Sequence, residues 1–117
     1  MNTATLDQKL NAAILSGQAL AAFDELYDDQ VVMQENSDAP FLGKALNRER
    51  EIAFFDSIAE FHGATLAASA VHGDVSFSEW DWDVTFKNGA RVRMNQVAVR
   101  RWKDGKVVHE RFYYNKG

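Results

Sequence analysis

Cysteine is absent from this chain of 117 residues. That excludes a disulfide framework, a thiolate metal site and a cysteine nucleophile, and it fits a reducing cytoplasmic setting. Proline occurs once, as Pro40, and marks a single loop, Ser37 to Gly43. Cationic excess is missing too: the net charge is −4, which argues against a nucleic-acid partner in need of a basic face. No apolar run approaches the roughly 20 residues that cross a bilayer, so no membrane span is expected. The opening stretch MNTATLDQKL lacks the basic start and apolar core of a signal peptide. There is no internal repeat, no phosphate-cradling glycine loop and no nucleophile elbow. His62, His72 and His109 have no short spacing, so no metal site is expected. They are expected at a helix end, a turn and the outer face of a sheet.

Hydrophobic residues make up 46% of the chain, enough for a packed core. The length predicts one domain over 1–117. The most patterned stretch is Val75 to Tyr114. Three runs alternate in character there, separated by Asn88-Gly89 and Asp104-Gly105. Alternation punctuated by such turns predicts a three-stranded antiparallel meander.

Upstream, Thr5 to Gln8 fits a capping box, with Leu6, Leu10 and Ile14 on one helical stripe and Gly17 as the stop. A second helix is expected from Gln18 to Asp28. Gln30 to Asn36 reads as a short strand with Val31, Met33 and Glu35 on one side. Phe41 and Leu42, in the proline loop, either plug the core or line a cavity mouth. Lys44 to His62 reads as the longest helix, with Asn47 as a possible cap, Glu49 and Glu51 near its positive end, and a stripe of Phe54, Phe55, Ile58 and Phe61. Ala64 to His72 is a further strand. The order predicts an α+β domain with helices gathered on one face of a mostly antiparallel sheet.

Several features are assembled in a fixed order: two N-terminal helices, a strand ending in Glu35, a loop with Pro40 and Gly43, a long helix, the turn Gly105-Lys106-Val107 and the aromatic strand end Phe112-Tyr113-Tyr114. Over nearly the whole chain this order resembles the SnoaL-like branch of the nuclear-transport-factor-two-like, or cystatin-like, superfamily. The resemblance implies a strongly curved sheet wrapped around the long helix, with the N-terminal helices closing a cone-shaped cavity. It also implies a homodimer through the outer face of the sheet. Members include polyketide cyclases, ketosteroid isomerases, epoxide hydrolases, dehydratases and non-catalytic binding modules, and fold does not choose among them.

The register of the meander decides which side chains face the cavity. A two-residue Asn88-Gly89 loop sets Asp83 opposite Met94 and turns Glu79, Asp81 and Asp83 inward. A three-residue loop, Lys87 to Gly89, sets Trp82 opposite Met94, Trp80 opposite Gln96 and Asp83 opposite Arg93. The second is favoured, because it gathers the apolar residues and pairs opposite charges outside. A three-residue loop at Lys103 to Gly105 then places Gln96 opposite Phe112 and Met94 opposite Tyr114. Val108, Glu110, Phe112 and Tyr114 face inward, and Arg100 lies diagonal to Glu110.

Glu35 matches the position of the general base in the ketosteroid isomerases; otherwise it is a strand-end residue paired with Arg48 or Arg50. Glu110 is the second candidate for catalysis, or else it forms a buried ion pair with Arg100. Met33, Trp80, Trp82, Met94, Gln96, Arg100, Phe112 and Tyr114 are the expected substrate-binding residues, since a mostly apolar pocket with a few polar groups suits a hydrophobic small molecule. The oxyanion pair of the isomerases is missing, its positions being near Leu10 and Ala98. The acid set of the epoxide hydrolases is broken at Phe112. Two functions therefore stand at this level: a cofactor-free, metal-free acid–base enzyme, or a non-catalytic ligand-binding or dimerisation module.

Overall fold

A computed structural model describes residues 1–116. Helix α1 spans Thr3–Leu15, α2 spans Ala19–Leu26 and α3 spans Lys44–Asp56. The strands are β1 (Tyr27–Glu35), β2 (Phe41–Leu42), β3 (Ile58–His72), β4 (Val75–Phe86), β5 (Arg91–Lys103) and β6 (Lys106–Tyr114). They form one sheet in the order β2-β1-β6-β5-β4-β3. Only β1 and β6 run parallel. This is the α+β architecture the residue pattern predicts.

Local chemistry explains the boundaries. Helix α1 starts at Thr3, not at a Thr5 box, because Asn2 caps it: its side chain accepts a hydrogen bond from Thr5 N at 2.8 Å. Gly17, at φ +79°, ends the turn between α1 and α2 in the left-handed conformation glycine adopts freely. Helix α2 stops at Leu26, and Tyr27 already belongs to a strand that begins before Gln30.

The largest departure concerns α3. The helical stripe extends to Phe61, yet the helix ends at Asp56 and Ile58 to His62 lie in β3. Ser57 O accepts from Lys87 N at 2.8 Å, and Ile58 then pairs with Phe86 at the far end of β4. Ladder formation along β4 overrides the local period. Asn47 is not the cap; Gly43 is. Asn47 is fully buried inside the helix, and its amide donates to Phe41 O and Gly43 O. Phe41 and Leu42 neither plug the core nor form a simple loop. They pair with Met33 and Val32 as a short edge strand.

The first hairpin turns through Lys87, Asn88 and Gly89. Phe86 N bonds Ala90 O, Gly89 has φ +92°, and Trp82 stands opposite Met94, Trp80 opposite Gln96 and Asp83 opposite Arg93. The tryptophans therefore face inward. Outside, ion pairs form diagonally, Arg91 with Asp83 and Arg93 with Asp81. The second hairpin has a two-residue turn, with Asp104 and Gly105 both at positive φ. A bulge between Arg101 and Trp102 follows. Gln96 thus meets Tyr114, Ala98 meets Phe112, and Arg100 sits directly opposite Glu110. The inward faces survive this two-residue shift, except that Val107 is fully buried while Val108 is only half-buried.

The core is unevenly placed. Leu6, Leu10, Phe23, Leu26, Val31, Met33, Trp102 and Val107 form one buried cluster under α1 and α2. In α3 only Asn47 is buried, because the inner face of that helix covers a cavity. Three irregularities in β3 bend that strand. Among the described residues no helix is long and apolar enough to cross a membrane.

Candidate functional site

A cavity of about 530 Å³ lies between α3 and the inner face of the sheet, a size ordinary for small-molecule sites. One wall is aromatic. Trp82 has ring neighbours in Trp80, Phe54 and Phe55, with centroids 6.2 to 6.4 Å apart. Among the described residues, two buried side-chain polar atoms lack a partner: the Trp82 indole nitrogen and one oxygen of Asp81.

The cavity floor is polar and tightly bonded. Arg100 and Glu110 are both 1% exposed. Arg100 Nε donates to Glu110 Oε2 at 2.7 Å, and its Nη1 donates to Asp7 Oδ1 at 2.9 Å and Asn11 Oδ1 at 2.7 Å. Tyr27 donates its hydroxyl to Glu110 Oε1 at 2.7 Å. Ser76 donates to Asp7, Trp102 donates to Ser76, and Asn11 donates to Ser78. Burial disfavours the Arg100 charge, but the Glu110 and Asp7 carboxylates outweigh it and hold the guanidinium firmly protonated. Burial, reinforced by Glu110, holds the Tyr27 phenol well above its ordinary pKa.

At the rim, Arg50 Nη2 meets Glu35 Oε2 at 3.1 Å, and its guanidinium lies 3.5 Å over the Phe41 ring. Glu35 is therefore paired, and with Arg50. The Tyr114 phenol is also raised, first by burial and then by the neighbouring Glu35 carboxylate.

Between rim and floor stands Glu51. It projects from the middle of α3 into the cavity wall and makes no hydrogen bond or ion pair with the described residues. Burial, and then the charge of Glu110, push its pKa up to about 7, against smaller opposing effects of Arg50 and Arg100. The sign follows from burial first, which disfavours the charged carboxylate, and then from Glu110, whose negative charge makes a second one nearby unwelcome. A carboxyl group balanced near neutrality, beside apolar walls, can both give and take a proton.

The expected site residues divide. Met33, Glu35, Trp80, Trp82, Gln96, Arg100, Glu110 and Phe112 line the cavity. Met94 and Tyr114 stand on the inner face opposite Trp82 and Gln96, but the cavity lining does not include them. From the sequence, Glu51 reads only as a helix-dipole residue. The signal for its role was its spacing: it falls four after Asn47, three before Phe54 and four before Phe55, on the apolar stripe of the helix. Asp7 and Asn11 carried the same signal, sitting beside Leu6 and Leu10 on α1. Among the described residues no group of three His, Asp or Glu side chains is placed to hold a metal ion.

This architecture is shared widely. A protein of unknown function with a cystatin-like fold from Xanthomonas campestris superposes with a TM-score of 0.85 at 18% identity, over 99% of this chain and 92% of that one. An isomerase, so classed provisionally, from Bacillus subtilis gives a TM-score of 0.79 at 20% identity, over 98% and 90%. At these identities the likeness is one of fold. A protein from Mesorhizobium loti, provisionally classed as a SnoaL-like polyketide cyclase, is 27% identical with a TM-score of 0.87, over 97% of this chain and all of that one. A search among curated proteins finds no match. The class is thus the cystatin-like, nuclear-transport-factor-two-like fold. Within it, the family model of the SnoaL-like domain matches residues 1–114, and the chain belongs to that family.

Proposed function

We propose that this protein is a cofactor-free acid–base enzyme acting on a hydrophobic small molecule, with Glu51 as the group that transfers the proton. The carrying observation is the unpaired Glu51 carboxyl in the cavity wall, with a pKa of about 7. Glu35 and Glu110, the carboxylates first expected to do chemistry, each hold an arginine. In this reading Glu110 positions, by fixing Arg100 and Tyr27, and Glu35 orients Arg50 at the rim. Gln96 and Arg50 supply hydrogen bonds to a substrate oxygen. Apolar walls keep the substrate near the carboxyl and water away from it. The provisional classing of related structures as cyclases and an isomerase agrees with proton-transfer chemistry.

The test is hydrogen–deuterium exchange at the carbons beside the carbonyl of a hydrophobic cyclic ketone in heavy water. The protein should accelerate exchange with a pH midpoint near neutrality. Glu51→Gln should abolish at least about 100-fold of that acceleration, while Glu35→Gln should retain most of it. Exchange that is absent, or indifferent to Glu51→Gln, overturns the assignment.

One observation favours a non-catalytic binding module: apart from Glu51, the acids lining the cavity are held in ion pairs. Ketone binding without any exchange would establish that second reading.

A further inference from the structure

A second cavity, of about 550 Å³, opens beside the first. Leu15, Leu20, Ile58 and Phe61 line it, and it carries no charged side chain. Ile14, Ala19, Phe55 and Trp82 line both cavities. The two spaces therefore adjoin, and the residues they share are all apolar or aromatic. The first also holds Glu51, Gln96 and Arg50; the second has no charged side chain.

We infer that the second cavity is a subsite for the apolar tail of the same ligand whose polar end lies beside Glu51. The ligand class that follows is an amphiphile: a neutral oxygen-bearing head carried on an alkyl chain or a fused apolar ring system. The inference rests on the proposed function for the position of the head. It commits to a small-molecule tail because the space adjoins the polar cavity along an apolar border. Phe61 and Leu15 border it while 51% and 48% exposed, an arrangement that leaves apolar surface in water unless a ligand covers it.

The subsite predicts a gradient of affinity along a homologous series. The probes are methyl alkyl ketones of increasing chain length, with binding measured by calorimetry at pH 6. Affinity should rise about fourfold per added methylene and keep rising beyond the length the polar cavity alone accommodates. Ala59 is exposed, lines the second cavity and does not line the first. Ala59→Trp should cut the rise off for long ketones and leave short ones unchanged. Leu15→Trp, at a separate point of the rim, should do the same, and Ala59→Ser should not. Glu51→Gln should alter the pH dependence of binding for short and long ketones alike.

Short ketones bound in a Glu51-dependent way, with no growth along the series or none that Ala59→Trp removes, would overturn the tail subsite and leave the proton-transfer reading standing. Growth that Ala59→Trp truncates, with no dependence on Glu51, would support the subsite and sink the placement of the head. Loss of self-association in Ala59→Trp, with the ketone series unaltered, would overturn the subsite in favour of a second copy of the chain. Absence of binding by any ketone would overturn it outright.

Discussion

Glu51 and Glu110 face one cavity from helix and sheet, and only Glu110 has a cation of its own. Burial disfavours a negative charge on Glu51, and the neighbouring Glu110 carboxylate adds to that effect, so the Glu51 pKa rises to about 7. Arg100, which pairs with Glu110, offsets it only in part.

This asymmetry predicts a pH-dependent cost to stability. The Glu51 carboxyl titrates near 4.5 when unfolded and about 7 when folded. Between those values the folded state binds a proton that the unfolded chain has released. Stability therefore falls as pH rises through that window, and the loss is complete above about 7. The size is on the order of 3 kcal/mol. Glu51→Gln removes the effect. It should leave stability unchanged at pH 4.5 and raise it at pH 8, by several degrees in Tm. Thermal melts of the two proteins at both pH values check this. Equal melting differences at the two values would contradict the raised carboxyl.

The neighbours of Glu51 give a second prediction. Arg50 lowers its pKa, against the larger effects of burial and Glu110. Arg50→Met removes that influence and leaves Glu35 without its partner. The Glu51 carboxyl should then titrate higher than in the parent protein. Carbon-detected NMR of labelled glutamate side chains reads the midpoint directly. A fall or no change would show that Arg50 lies electrically remote from Glu51.

The buried floor should be fragile in an uneven way. Arg100 is bonded to Glu110, Asp7 and Asn11 in a space that excludes water. Arg100→Met leaves two buried carboxylates with no counterion, a change that costs about 3–5 kcal/mol. Glu110→Gln keeps an oxygen to accept from Arg100, and its amide NH2 can donate to a Tyr27 hydroxyl turned to accept, so it should cost less. Urea denaturation of both variants orders them; a smaller loss for Arg100→Met would mean that the network is not what holds this end of the sheet together.

The parts of the fold legible in the residues were those set by local chemistry. Trp80, Trp82 and Met94 were placed inward correctly because alternation and the Asn88-Gly89 turn act over a few residues. The second hairpin was legible in its faces but not in its pairing. A two-residue turn at Asp104-Gly105 and a bulge near Trp102, which leaves no mark in composition, each moved the pairing by one, so Gln96 meets Tyr114 and not Phe112. The end of α3 was misread because Ile58 and Phe61 satisfy a helical stripe and a strand equally well; the pairing of Ile58 with Phe86 decides, and it is non-local. The site was half legible. Carboxylates on strands drew attention through the family resemblance, while Glu51 was hidden by the charged run Arg48 to Glu51 around it. Its position on an apolar stripe was the only sign.

The outer face of the sheet carries the last prediction. Phe77 stands opposite Val99, and Val97 stands opposite Tyr113. Phe77 and Tyr113 are 39% and 44% exposed. Arg111 lies over the Tyr113 ring at 4.7 Å, and Arg93 and Arg91 pair with acids further along the same face. An apolar centre with a charged rim is the composition of a protein–protein interface. We propose a homodimer through this face, as the SnoaL-like resemblance implies. Two copies related by a twofold axis would set this patch against itself. Sedimentation equilibrium should give twice the chain mass. Phe77→Glu combined with Val99→Lys should give the single-chain mass without loss of the folded spectrum, because both residues point away from the cavity. A parent protein that stays monomeric at high concentration would remove the dimer, and a dimer that survives both substitutions would move the interface elsewhere.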